Sequence, residues 1–496
     1  MPARALGRRL APLDAAFLYL ETPEAPLHIG GVSLIDGDMP AADLAARLVA
    51  RLDEIPRYLQ RLVPAPLGVG HPAWEADPAF DIRRHVLETR VEPPGNETQL
   101  QACAARLFEP LLSRARPLWE LHVIRGLAGG RTAMLSKIHH CMVDGVSGVE
   151  LMDVIFDVSP AGGGSQPGRP VSALPPLTPG ELLIEGVVEA MTAGLEAGRA
   201  ALRAVAAPTE VWRSAWRRVV PAAAALGRAA ATPVLRLPFN RPLTGVRRLD
   251  WLDWPLDEVS AVGRARGGTV NDVVLAVLTD GIGRFLSASG LPLQHRFLRL
   301  LVPVNLRRTD ERGLLGNRVS MVPVEVPFDG APLDRLDATI ACTDAVKGAG
   351  VAELAGDLVG LAGLAPARLH AWILGLAASP RVLAWSAPLR AAPFLVGNLV
   401  CTNVPGPPVP LFALGHRLLA HYPLVPLGLE TGLNCAVMTY NRVLHVGLVA
   451  DAGAIDDLGP LCGFVGDAYD DLRRAAGVAA GRPAPRRRAG RRPRGR

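Results

Sequence analysis

The sequence is poor in aromatic and charged residues, at 5% and 20%, whereas 49% of it is hydrophobic. This composition excludes a disordered, highly charged chain and predicts a globular protein with a large core. Long apolar runs are also missing: the longest uncharged run, 391–415, contains five prolines, which a membrane-spanning helix does not tolerate. We therefore expect a soluble or peripheral protein.

Cysteine is scarce as well, and the six cysteines are scattered without the spacing of a disulfide framework or a zinc site. This usage indicates a reducing compartment. The basic N-terminus leads into Asp14, Glu21 and Glu24 instead of the apolar core of a signal peptide. We expect a cytoplasmic protein, either free or peripheral at the inner membrane face or at lipid inclusions, with no metal ion and no bound cofactor.

The net charge of +6 comes from one end of the chain. Residues 481–496 contain eight arginines and no acidic residue, so the rest of the chain is slightly acidic. The composition predicts a disordered tail, and because no aromatic residues are interleaved with its arginines, nucleic acid is not an expected partner. The sequence leaves the oligomeric state open.

Short apolar runs alternate with amphipathic stretches on both sides of a proline- and glycine-rich break at 159–168. This alternation predicts an α/β fold, and the alanine-rich stretch after the break indicates a helical linker. The predicted division is an N-terminal half (1–160), a Pro/Gly-rich and helical linker (161–245), a C-terminal half (246–480) and the arginine-rich tail (481–496).

The most informative stretch is HHCMVDG at 139–145, which follows an apolar run predicted to be a buried strand. Side chains alternate along a strand, so if the strand continues through the pair, His139 and His140 point to opposite faces. His140 then shares a face with Met134 and Ile138. Only one of the two histidines is expected to serve a given cavity.

A neutral imidazole with a pKa of ~6.5 can accept a proton at physiological pH and return it to a leaving group, as acyl transfer requires. A packed or metal-binding pair is the alternative. Metal binding is disfavoured because adjacent strand residues diverge and no third ligand stands at a zinc-like spacing. The sequence has no Gly-x-Ser-x-Gly elbow, and Cys141 is expected to be a small buried residue. His140 is therefore the candidate general base.

HHxxxDG at 139–145 resembles the active-site motif of coenzyme A-dependent acyltransferases shaped like chloramphenicol acetyltransferase, a superfamily that includes the condensation domains of peptide synthetases. Further motifs resemble one branch, the bacterial wax ester synthase/diacylglycerol acyltransferase family. In family order they are PLDAAF at 12–17, HIGG at 28–31, PLW at 117–119, ND at 271–272 and NVPGP at 403–407. One departure is TYNR at 439–442, where the family tends to show Ser-Tyr-Gly. Asn441 can supply the left-handed backbone that glycine offers.

The resemblance implies two chloramphenicol acetyltransferase-like domains with mixed sheets, joined by the helical linker, and an active-site tunnel at their interface. It implies that His140 accepts the proton beside His139, and that Asp144 is structural, capping the next helix or pairing with an arginine. Asn271 would donate to the oxyanion or orient the base, the alternative being the N-cap of the following helix. The residues expected to line the tunnel are Gly145, Asp272, Asn403, Pro405 and Gly406.

The implied activity is direct transfer of a long-chain acyl group from acyl-CoA, the co-substrate, to the hydroxyl of diacylglycerol or a long-chain alcohol. The product is a triacylglycerol or a wax ester. One alternative is a condensation-type or polyketide-associated acyltransferase that uses a carrier-protein thioester; the absence of attached carrier modules argues against it. The other is a catalytically silent lipid-droplet protein, which the intact HHxxxDG disfavours.

Contact with a lipid surface is expected from two features. Between 211 and 220, helical spacing places Trp212 and Trp216 on one face with arginines around the rest, as in an interfacial helix. Inward packing of these tryptophans between the domains is the alternative. The arginine-rich tail would add attraction to anionic lipid.

Overall fold

The computed structural model describes residues 9–142, 147–161, 178–206, 234–305, 319–348, 367–379, 382, 396–428 and 430–481. The predicted residues Asp144, Gly145, Trp212 and Trp216 and most of the arginine-rich tail lie outside these ranges. The helices are α1 (Pro12–Leu20), α2 (Ala41–Val49), α3 (Glu97–Phe108), α4 (Ser147–Ile155), α5 (Pro179–Ala206), α6 (Leu256–Ala265), α7 (Val270–Ala288), α8 (Pro332–Gly348), α9 (Ala367–Ala377) and α10 (Gly459–Ala475). The strands are β1 (His28–Ile35), β2 (Gln60–Val63), β3 (Ala73–Ala76), β4 (Val86–Arg90), β5 (Trp119–Leu127), β6 (Arg131–His139), β7 (Arg247–Pro255), β8 (Phe297–Asn305), β9 (Val319–Pro327), β10 (Leu399–Val404), β11 (Phe412–Ala413), β12 (His416–Leu424), β13 (Leu433–Tyr440) and β14 (Val443–Asp451).

Two sheets dominate the fold. Within the described residues, one six-stranded sheet has the order β11-β12-β1-β6-β5-β4 and the other has the order β7-β14-β13-β10-β8-β9. Both are mixed, because β4 is parallel to β5, and β10 is parallel to β8 and β13, among otherwise antiparallel pairs. The expected α/β fold with two mixed-sheet domains is confirmed.

Strand β6, which leads to the histidine pair, is buried on both faces. Met134 and Ile138 belong to the core cluster on one face, whereas Ala133 and Leu135 belong to the cluster on the other. A strand covered on both faces reads as a continuous apolar run, which explains why the sequence shows one before His139. The end of β6 is therefore held in place by two packed layers.

The second sheet is covered by α7 and α10. Helix α7 is buried along most of its length, and its residues from Val273 to Leu278 are in the core. Gly281 allows α10 to approach closely, because a Cβ there would lie 2.5 Å from the side chain of Val465. The N-terminus of α7, where Asn271 lies, is fixed by this packing.

The predicted division of the chain needs one correction. The predicted C-terminal half includes 412–424, but β11 and β12 in this range belong to the first sheet. Strand β12 pairs antiparallel with β1, from Gly30 opposite Leu424 to Ile35 opposite Leu418. Without β12, β1 would expose an unpaired edge. The pairing joins distant parts of the chain, so no local sequence pattern predicts it.

Tyr440, at the end of β13, anchors the segment that carries β11 and β12 to the second sheet. Its hydroxyl accepts a hydrogen bond from the backbone N–H of Leu411 and donates one to the carbonyl of Leu418, both at 2.9 Å.

In the part of the chain that the structure describes, no helix is long and apolar enough to cross a membrane.

Replacing Tyr440 by Phe should weaken this anchor. The change leaves the buried N–H of Leu411 without an acceptor, which typically costs about 1–3 kcal/mol of the free energy of unfolding. Urea denaturation measures the loss. Tyr469→Phe is the control and should cost less, because its acceptor, Glu258, keeps Arg473 and the N–H of Gly481 as partners. Equal stability of Tyr440→Phe and the wild type would contradict the anchoring role.

Candidate active site

The histidine pair stands where β6 ends. His139 is the last residue of the strand, and a short 3-10 helix begins at His140 and runs to Met142. The backbone N–H of His139 donates to the carbonyl of Leu118, and that of His140 donates to the carbonyl of Leu27, both at 2.9 Å. The strand ends at His139, so the condition for alternation through the pair is not met at His140, which belongs to the turn.

Helix α1 lies across this turn and provides a neighbour for each histidine. Glu21, the C-cap residue of α1, places its Oε1 3.2 Å from Nε2 of His139. The ring of Phe17 stacks on the imidazole of His140, with 3.9 Å between ring centroids and 7° between ring planes. The two histidines therefore face different partners on the same helix, one a carboxylate and the other an aromatic ring.

A third residue of α1 continues the pattern. Asp14 lies close enough to Cys141 that its charge, after burial itself, raises the pKa of the thiol well above its usual value. Spacings of three and four residues place Asp14, Phe17 and Glu21 on one face of the helix. Two residues of this face therefore contact the histidines, and the third lies near Cys141. The raised pKa keeps Cys141 a thiol and removes it as a nucleophile.

His140 is neutral at pH 7. The ring is partly exposed, yet the surrounding protein removes water from it and lowers its pKa to about 4; its own main-chain carbonyl offsets this in part, and His139 lowers the pKa further. Nδ1 is buried and has no hydrogen-bond partner among the described residues, so only Nε2 can be offered to a substrate. A neutral ring carries one N–H, and for Nε2 to accept a proton that hydrogen must be on Nδ1.

His139 is buried and has both ring nitrogens engaged. Its Nδ1 accepts the N–H of Cys141 at 3.1 Å, so Nε2 carries the hydrogen and faces Glu21. That contact lies outside hydrogen-bond geometry, and electrostatic attraction carries it. Burial would raise the pKa of Glu21, but His139, the N–H of Leu27 and the guanidinium of Arg114 together lower it. Glu21 is therefore a buried carboxylate that orients His139.

Asn271 is the second residue of α7 and does not cap it. The N-cap is Thr269, whose hydroxyl accepts the N–H of Asp272 while the Asp272 carboxylate accepts the N–H of Thr269. The N-cap alternative for Asn271 is therefore wrong. Its Oδ1 is buried without a hydrogen-bond partner in the described ranges.

The carboxylate of Asp272 is fully used inside the protein. One oxygen accepts from Thr269, and the other accepts the hydroxyl of Thr343 on α8 at 2.7 Å. The side chain is buried. Asp272 therefore joins α7 to α8, and its position on a substrate tunnel stays a prediction.

The NVPGP segment follows β10. Asn403 is half-buried at the end of the strand, and Pro405 is exposed. Gly406 lies against β13: its N–H donates to the Thr439 hydroxyl, and a Cβ would come within 2.1 Å of the Thr439 carbonyl. Only glycine fits there. Asn441 has a φ of 45°, which confirms the expected left-handed turn between β13 and β14.

The structure joins the two histidines with residues that the sequence analysis did not assign to the site. No hydrogen bond, ion pair or ring contact between described residues links His140 to Asn271, Asn403 or Gly406. Phe17 and Glu21 contact the pair instead. The helical spacing of Asp14, Phe17 and Glu21 predicts that these residues share one face of a helix. No local pattern indicates which surface of the protein this face covers.

Comparison with solved structures defines the class of fold. The wax ester synthase/diacylglycerol acyltransferase from Marinobacter aquaeolei VT8 matches with a TM-score of 0.63 at 23% identity, covering 95% of this chain and 100% of that one. The first condensation domain of the calcium-dependent antibiotic synthetase matches with a TM-score of 0.56 at 18% identity, covering 95% and 96%. The fold is that of the acyltransferases and condensation domains built on two such sheets.

Sequence comparison narrows the class to a family. Residues 10–274 match the model of the wax ester synthase/diacylglycerol acyltransferase catalytic domain, and residues 315–473 match that of the WS/DGAT C-terminal domain. A relative in Mycobacterium tuberculosis H37Rv, named as a probable diacylglycerol O-acyltransferase (tgs1), is 32% identical over 485 residues, covering 97% of this chain and 98% of its own. The chain belongs to the wax ester synthase/diacylglycerol acyltransferase family and is an acyltransferase.

Replacing Glu21 by Ala should loosen the turn. The change leaves the N–H of Leu27 without an acceptor and removes the carboxylate that faces Nε2 of His139, at a typical cost of about 1–3 kcal/mol in the free energy of unfolding. Turnover per folded molecule should fall by about tenfold or more, since small displacements of a catalytic group cost up to about a hundredfold. Glu24→Ala is the matched control. Unchanged kcat in folded Glu21→Ala protein would refute the orienting role.

Proposed function

We propose that the protein transfers a long-chain acyl group from acyl-CoA directly to the hydroxyl of a lipid acceptor, with His140 as general base. The observation that carries this proposal is the neutral, partly exposed imidazole of His140, whose pKa of about 4 leaves it free to accept a proton at pH 7. The family supports the acyl-CoA donor. No acyl-enzyme is required.

The proposed reaction has two proton transfers through one nitrogen. Nε2 of His140 takes the acceptor's hydroxyl proton as that oxygen attacks the thioester carbonyl carbon. The tetrahedral intermediate then collapses, the carbon–sulfur bond breaks, and the imidazolium returns the proton to the departing thiolate. An ester and free coenzyme A are formed, and the enzyme ends in its starting protonation state.

Two further residues have proposed roles. The side-chain N–H of Asn271 would donate to the oxyanion that forms on the thioester carbonyl. Asp144 would hold the turn after the histidines by capping or ion pairing. Gly145, Asn403, Pro405 and Gly406 are proposed to shape the tunnel between the two domains.

Diacylglycerol is the proposed acceptor, with a long-chain alcohol as the second substrate class. The family description names both activities, and the tgs1 relative is named for the first. Both acceptors offer a hydroxyl on a long apolar body, so one base with one proton-transfer route serves either. Triacylglycerol or wax ester would be the product.

The assay uses labelled palmitoyl-CoA with separate pools of dioleoylglycerol and hexadecanol. We expect ester formation with dioleoylglycerol and a loss of ~10²–10⁴-fold in kcat for His140→Ala, which is the typical contribution of a positioned base. His295→Ala is the control, because His295 is fully exposed in the other domain. Wild-type turnover by folded His140→Ala, or no ester from either pool, would rule the proposal out.

We also propose that the enzyme works at a lipid surface, through an apolar stripe on α5 and α9. Exposed side chains recur at helical spacing on α5, at Ile184, Val188, Met191, Leu195 and Leu202. On α9 the exposed apolar side chains are Leu369, Trp372, Ile373 and Leu376. Apolar helix faces of this kind insert into the outer part of a bilayer.

The two helices that carry the stripe lie near the candidate active site. Helices α5 and α9 both pack on the loop at 66–70, where Gly186 contacts Val69 and Arg368 contacts Gly68. On its other side α9 reaches α1, because His370 makes a ring contact with Tyr19. A lipid surface at the stripe would therefore lie beside the helix that covers His140.

Flotation with phosphatidylcholine vesicles that contain dioleoylglycerol tests the stripe. The triple variant Ile184→Ser, Met191→Ser, Leu195→Ser should float less than the wild type, because each change removes exposed apolar area. Val158→Ser, which alters an exposed valine outside the stripe, should float normally. Unchanged flotation of the folded triple variant would contradict lipid binding by the stripe. A dimer in gel filtration that the triple variant no longer forms would contradict it as well.

A further inference from the structure

The tightest aromatic contact of a histidine in the described structure involves His140. Its ring lies 3.9 Å from the ring of Phe17 and nearly parallel to it. A similar pair elsewhere in the same domain, Phe80 with His85, is looser, at 5.1 Å and 17°. Phe17 is fixed in place, because its neighbours Ala15 and Leu18 are buried and anchor α1.

This contact matters because His140 lacks an ionic partner in the described ranges. Its Nδ1 is buried without a hydrogen-bond partner there, and no carboxylate in these ranges forms an ion pair with the ring. Proton transfer from the acceptor places a positive charge on this desolvated ring. Without compensation, that charge would raise the energy of the transition state.

The face of a phenyl ring offers such compensation. It carries a partial negative charge and attracts a cation placed over it, most strongly where water is excluded. A neutral imidazole feels little of this attraction, so the interaction strengthens as the proton arrives. Stacking uses the imidazole face and leaves Nε2, at the ring edge, free for the substrate.

We propose that Phe17 is a positioning residue that holds the His140 ring by its face and stabilises the imidazolium formed during acyl transfer. The inference rests on the proposed role of His140 as base. It assigns to the aromatic ring the task that a carboxylate performs in a Ser-His-Asp triad, namely orientation of the imidazole and stabilisation of its charged form.

The test is a kinetic series on the full chain with palmitoyl-CoA and dioleoylglycerol. Phe17→Leu keeps an apolar side chain but removes the ring, and Phe17→Met serves if the leucine variant does not fold. We expect kcat to fall about 3- to 30-fold, equivalent to about 0.6–2 kcal/mol, with KM little changed. Phe17→Tyr keeps the ring face and should restore most of the rate. Phe80→Leu, the matched stack on His85, should keep kcat.

A double-mutant cycle shows whether Phe17 acts through His140. In a His140→Ala background, Phe17→Leu should cause no further loss, because the charge that the ring stabilises is no longer formed. An equal loss in both backgrounds would overturn the proposal, and so would wild-type kcat in folded Phe17→Leu or Phe17→Met. If His140→Ala itself kept wild-type turnover, the base assignment would fail, and with it the inference.

The pH profile separates charge stabilisation from water exclusion. If Phe17 stabilises the imidazolium, the apparent pKa on the acid side of the kcat/KM profile in Phe17→Leu is equal to or lower than that of the wild type, because the charged form loses a favourable contact. If Phe17 merely excludes water, this apparent pKa rises towards the ordinary imidazole value of ~6.5, while the rate on the plateau of the profile is unchanged. The second result would overturn the proposal.

Discussion

The packing of helix α1 across the histidine turn is the interaction on which the rest of the site depends. Two side chains on one face of this helix contact the two histidines, and a third lies near Cys141. A buried carboxylate orients His139 and an aromatic face covers His140, while burial, with the nearby charge of Asp14, raises the pKa of Cys141. Removing α1 would expose the turn to water and return His140 towards an ordinary imidazole.

The two histidines show how position alone divides their roles. His139 ends the strand, and both of its nitrogens are engaged by a backbone N–H and a carboxylate. His140 begins the 3-10 helix, and it is a partly exposed residue whose Nδ1 is buried. His139 is fixed by contacts of both ring nitrogens, whereas His140 is contacted on its ring face by Phe17 and can exchange a proton through Nε2.

The sequence predicted the α/β class and the family because these depend on local patterns and short motifs. Asn441 was placed correctly in a left-handed turn for the same reason. The alternative that Asn271 caps α7 is wrong, although the sequence shows the Thr-x-x-Asp pattern of a capping box at Thr269 and Asp272. The pairing of β12 with β1, and the contacts of Phe17 and Glu21, arise from tertiary packing, for which a single sequence carries no local signal.

Burial at the end of β6 keeps His140 neutral and ready to accept a proton. Histidine-labelled protein allows this to be measured by NMR, and the His140 signal among the eleven histidines is identified by its absence in His140→Gln. With a pKa of about 4, the ring should remain neutral as the pH falls from 8 to about 5. A His140 ring that titrates with a midpoint near ~6.5 would contradict the account.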